Sequence, residues 1–79
     1  MTNLAMLGKS RPGPNGLVIV DLRGYEGLGL AQGETLGITG PDGSTLYGVV
    51  AWSLCRSDDV YEVAIGPPFL IEAEVLSDE

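Results

Sequence analysis

Leu17-Val18-Ile19-Val20-Asp21-Leu22 is the first stretch of the chain in which apolar residues fall on both sides of an extended backbone. A β-branched run of that kind suits a strand covered on two faces. Before it, residues 1–16 mix small and polar types and end in Arg11-Pro12-Gly13-Pro14-Asn15-Gly16, where two prolines and two glycines forbid a continuous helix or ladder. These sixteen residues read as a flexible or loosely packed arm.

Further on, two β-rich runs flank Gly40-Pro41-Asp42-Gly43. Proline sets φ for a turn, and Asp42 and Gly43 tolerate the conformations a reversal needs, so a hairpin is predicted. On its second arm strict alternation puts Leu46, Val50, Trp52 and Leu54 on one face and Tyr47, Val49, Ala51 and Cys55 on the other. Both faces avoid charge, so this strand is expected to be central or to face a subunit, with Trp52 packed inside. Arg56-Ser57-Asp58-Asp59 breaks the pattern. Val60 to Ile65 resumes it, with Tyr61, Val63 and Ile65 inward and Glu62 outward. Gly66-Pro67-Pro68 interrupts again before a last strand in which Phe69, Ile71, Ala73 and Val75 share a face and Glu72 and Glu74 point to water. Residues 77–79 form an acidic tail.

The elements describe an all-β protein: a small antiparallel five- to six-stranded barrel or sandwich over residues 17–76, without a helix. Next-neighbour strand order predicts a meander that curls on itself. A chain of 79 residues allows one domain and a modest core, so a homo-oligomer or another protein partner is expected to cover further apolar surface.

Composition narrows the chemistry mainly by subtraction. There is no histidine and only one cysteine, Cys55, so Ser-His or Cys-His nucleophiles and zinc or iron-sulfur sites lack their residues. The paired acids Asp58 and Asp59 sit in a turn signal, and Glu72 and Glu74 on a solvent-facing row, which fits neither a glycosidase pair nor a calcium loop. No catalytic residue, metal or cofactor is assigned, and the protein reads as a non-enzyme. The net charge of −7, with seven acids and no base after Arg56, repels phosphate backbones and favours a basic protein partner. An acidic decoy that imitates nucleic acid is a further reading. No apolar run approaches the ~18 residues of a membrane span, and no basic head precedes an apolar leader, so a cytoplasmic setting is expected.

One segment stands apart: Asp21-Leu22-Arg23-Gly24-Tyr25-Glu26-Gly27-Leu28-Gly29-Leu30, with three glycines in six residues. No helix signal follows, as a dinucleotide fingerprint would require, so the segment reads as a structural corner in which Asp21 and Arg23 share a face and can pair. Together with GETLGITGPDG, LYGVVAW and VYEVAIGPPF it resembles the later part of a PilZ domain, over about residues 17–69. The resemblance implies a six-stranded barrel and a cyclic di-GMP site at the corner, involving Asp21, Arg23 and Gly27. Arg23 stands where that family has serine, Gly27 comes one position late, and Arg11 has no second arginine four residues away. The form implied is a degenerate member acting through protein contacts, for which Tyr47, Val49 and Arg56 are the candidate contact residues.

Overall fold

Extended segments with apolar residues on alternate positions need neighbours on both edges and a shared interior, and five such segments close into a ring. The computed structural model describes residues 3–72: β1 (Asn3–Pro12), β2 (Val18–Arg23), β3 (Thr35–Thr39), β4 (Thr45–Ser57) and β5 (Val60–Glu72), with two single 3-10 turns, Pro14–Gly16 and Glu26–Leu28. The strands form a closed barrel in the order β1-β2-β5-β4-β3. All neighbours are antiparallel except β1 and β3, which close the ring side by side in parallel.

The all-β barrel expected from the sequence is therefore the fold, with three differences in its construction. The segment read as a loose arm contributes β1, which pairs with β2 through Met6↔Leu22 and Leu7↔Asp21, then Arg11↔Ile19 and Pro12↔Val18. A register shift lies between the two halves, where Gly8 adopts φ +71°, a left-handed conformation that glycine reaches without a Cβ clash. Small and polar residues hide the strand's period because the bulge breaks it. The meander is also replaced: β2 pairs along its whole length with β5, from Val18↔Ile65 to Arg23↔Val60. Finally, Gly66-Pro67-Pro68 does not separate two strands. It forms a bulge inside β5, where Tyr47↔Leu70 gives way to Val49↔Gly66. Gly48 lies opposite that bulge, and a Cβ there would stand 3.2 Å from the Gly66 carbonyl oxygen and 3.1 Å from Ile65 Cδ1. Ala73, Glu74, Val75 and the acidic tail lie outside the described residues.

Inside the ring, Val20, Leu22, Leu36, Ile38, Val50, Val63 and Ile65 are buried, and Tyr25 plugs one end against Tyr61 with ring centroids 5.6 Å apart. The second half of β4 departs from the expected faces. Val50 pairs with Ile65 and Trp52 with Ala64, so Ala51 is an extra residue and the alternation changes phase. Trp52 and Leu54, read from the sequence as sharing the buried face of Leu46 and Val50, turn to the outside. There they join Tyr47 and Val49, which lie opposite Gly37 and the exposed Thr35 of β3.

With so few residues in the core, each carries a large share of it. Leu22→Ala and Leu36→Ala are each expected to lower unfolding stability by about 2–5 kcal/mol. Urea titration followed by far-ultraviolet dichroism checks this, and a loss below ~1 kcal/mol in both would contradict a barrel closed around these side chains.

Candidate functional site

The glycine-rich corner is built as structure. Gly24 has φ +84° and its N–H meets both the carbonyl oxygen of Asp59, at 3.3 Å, and Asp59 Oδ1, at 3.2 Å. The corner is thus fastened to the β4–β5 turn, and the next residue, Tyr25, drops into the core. Burial pushes the Tyr61 phenol up from its ordinary pKa, and the carboxylate of Glu26 at the same end adds to the effect. Gly27 is exposed within the 3-10 turn, with a φ that does not demand glycine and nothing within 4 Å of a Cβ placed there. Arg23 is exposed at the end of β2.

Asp21 has a different partner from the one expected. Its carboxylate receives both terminal nitrogens of Arg11, NH1 to Oδ2 at 3.1 Å and NH2 to Oδ1 at 3.2 Å. The same NH2 reaches Glu62 Oε2 at 2.8 Å, and Arg56 stands 3.6 Å from Glu62 Oε1. Asp21 and Glu62 are directly opposed across β2 and β5, a like-charge pairing that costs stability unless a cation bridges it. Arg11 is that bridge. Its hydrogen bonds to Asp21 and then Glu62 raise the guanidinium pKa further. Asp21, Arg23 and Gly27 are therefore not gathered into a cleft; the first is neutralised in a charge row and the other two face water.

Beside this row lies the surface that most departs from an ordinary barrel exterior. The exposed large apolar residues among those described are Trp52 (39%), Leu54 (49%), Phe69 (40%), Leu70 (63%) and Ile71 (71%), and all five lie on β4 or β5. Leu70 pairs with Tyr47 on the outer face, and the Tyr47 hydroxyl is 3.1 Å from Glu72 Oε1. The bulge at Ala51 thus brings the contact candidates Tyr47 and Val49 into one outer row with Trp52 and Leu54, and Arg56 follows at the end toward the turn. Sequence alternation missed Trp52 and Leu54 as members of this row. Phe69 and Ile71, read from the sequence as the covered face of a last strand, are exposed as well, because β5 runs past the end of β2 there and has no neighbour on that side.

Among the described residues one cavity of about 360 Å³ is lined by residues that include Met6, Val20, Ile38 and Leu46 together with Asp42 and Ser44 of the β3–β4 turn. None of the sequence-derived candidates lines it. Asp42 Oδ1 accepts from the Ser44 hydroxyl at 2.7 Å and the Ser44 N–H at 3.0 Å, which holds the carboxyl below its ordinary pKa and braces the β3–β4 turn. Cys55 is exposed, its thiol 3.4 Å from the Ser57 carbonyl oxygen. Among the described residues no group of three His, Cys, Asp or Glu side chains is placed to hold a metal ion, and no helix is long and apolar enough to cross a membrane.

No family model, curated protein or solved structure matches this chain.

Two outcomes follow from the charged groups. Because Asp42 titrates lower folded than unfolded, its contribution is present above the unfolded value of ~4 and disappears as pH falls through the folded one. Ser44→Ala should move the Asp42 midpoint, followed by carboxyl NMR, back upward; an unchanged midpoint refutes the hydroxyl as the main cause. Arg11→Ala should leave Asp21 and Glu62 in opposition and lower the urea midpoint at low ionic strength. Near 1 M salt, where the screening length is ~3 Å, most of that deficit should vanish; a deficit indifferent to salt would mean that Arg11 acts through packing.

Proposed function

We propose that this protein is a non-enzymatic binding module that works through protein contacts, with the outer row of β4 and the adjoining end of β5 as its contact face. The observation that carries this reading is the confinement of all five exposed large apolar residues to two adjacent strands, while the rest of the described surface keeps its large apolar residues covered. They form two apolar clusters, Trp52 with Leu54 toward the β4–β5 turn and Phe69 to Ile71 at the opposite end of the hairpin, with Tyr47 and Val49 between them on the outer row of β4, and clustered exposure of this kind serves recognition. Such exposure does nothing for the barrel's own stability.

The chemistry available supports binding over turnover. The chain has no histidine, its strongest charge cluster is internally neutralised by Arg11, and the Asp42 carboxylate serves a turn. For the resemblance to PilZ domains, the version proposed is the one acting through protein contacts. Asp21 is occupied by Arg11, and the corner is filled by Tyr25 and tied to Asp59, so neither stands ready for a nucleotide.

Site-specific photo-cross-linking in the source cells tests the reading. A photoreactive residue at Leu54 or Leu70 should give a discrete adduct that is lost on adding Trp52→Ser, while the same group at Ala5 or Lys9 on β1 gives none. An adduct of twice the chain mass identifies a second copy as the partner. Equal labelling from all four positions, or none from any, overturns the proposal.

A further inference from the structure

The ring leaves two stretches of backbone with a strand on one side only, because β4 and β5 overrun their neighbours. β3 covers β4 from Thr45 to Val49, and the loop before β3 adds Gly33 N–H to Val50 O and Val50 N–H to Glu34 O, both at 2.9 Å. Beyond Val50, residues 51–57 have β5 on one side and no strand on the other among the described residues. On β5, the pairing with β2 ends at Val18↔Ile65, so residues 66–72 are likewise open on one side.

These two edges are not equivalent. Pro67 and Pro68 lack the N–H that a new ladder needs, and proline is a common means of closing an edge to further strands. The β4 edge has no proline, and its single charged residue, Arg56, is turned back toward Glu62. Bulges at Ala51 and Arg56 bound it, and between them Trp52, Ser53, Leu54 and Cys55 run in unbroken register with Ala64, Val63, Glu62 and Tyr61. That window is long enough to template one short strand.

We propose that this edge accepts an extended segment of a partner protein by strand addition, and that the segment alternates apolar with basic residues. This rests on the binding reading given above and specifies its partner. The alternation follows from the two faces of the window. Trp52 and Leu54 lie on the outer face and offer apolar neighbours. Ser53 and Cys55 share the other face with Val63 and Tyr61, at the end of the barrel where Tyr25 packs on Tyr61 and the acidic Glu26 follows it. Acids also mark both ends, Glu34 beside Val50 and Asp58 with Asp59 at the turn. A second copy of the chain is a poor occupant. It brings the same net charge of −7, so two copies repel where a basic segment is attracted. Strand addition supplies main-chain hydrogen bonds besides that attraction.

Trp52 is the sole tryptophan of the chain, so its fluorescence reports on the window directly. The full chain is titrated with a short peptide of alternating valine and lysine, with its valine–glutamate counterpart, and with the valine–lysine peptide N-methylated on alternate residues. The lysine peptide should blue-shift Trp52 emission, slow amide exchange at Ser53 to Cys55, and bind at least ~10-fold more tightly than either control, with affinity falling as salt is raised. Equal binding of the N-methylated peptide overturns strand addition, and equal binding of the glutamate peptide overturns the basic partner. Protection confined to residues 66–72, or no binding, also overturns the proposal. Cross-links from Leu54 and Leu70 that persist beside such a result leave the contact face standing and remove only the strand-addition mode.

Discussion

β4 and β5 are thirteen residues each, whereas the other strands of the ring have five to ten, and this mismatch governs the molecule. A barrel removes sheet edges only over the length that all its strands share. Where the long hairpin continues past that length, backbone groups lose a neighbour and side chains lose the wall they would pack against. The same overrun exposes Leu70 and Ile71 at one end and Leu54 toward the other, and it leaves the β4 edge open.

Bulges decide how the overrun is presented. One extra residue on one strand, as at Ala51 or Arg56, reverses the faces of every side chain beyond it, whereas the two extra residues of β5 between Gly66 and Leu70 leave the faces in phase. At Ala51 this moves Trp52 and Leu54 from the interior to the exterior, where Trp52 lies beside Ala64, a fully buried small residue on the outer face whose other neighbour is Ile19. At Gly66-Pro67-Pro68 the bulge lets β5 continue beside β4 and places prolines along its free side. The two edges of one hairpin therefore differ chemically.

The electrostatic organisation is local. A chain of net charge −7 opposes two carboxylates, Asp21 and Glu62, on adjacent strands, and recruits Arg11 from β1 to bridge them with Arg56 nearby. Two of the four basic residues are thus used in one row, while Glu34 and Asp59 take backbone N–H groups, of Ala31 and Gly24, as their partners. Gly24, hydrogen-bonded to Asp59, joins the glycine-rich corner to that turn, and Tyr25 seals the barrel beneath it.

By itself the sequence determined the element type, the hairpin at Gly40-Pro41-Asp42-Gly43 and the inward set Val63 and Ile65, because alternation and turn chemistry are properties of neighbouring residues. It also marked Tyr47, Val49 and Arg56 as contact candidates from a strand whose second face avoided charge. Pairing between β2 and β5, the incorporation of β1 and the bridging of Asp21 by Arg11 were decided by tertiary structure, since each joins residues distant in the chain. The position of Trp52 shows the reason most clearly. Period-two reading assumes one residue opposite one residue, and a single extra residue in β4, visible only once its pairing with β5 is known, reverses which face is inside.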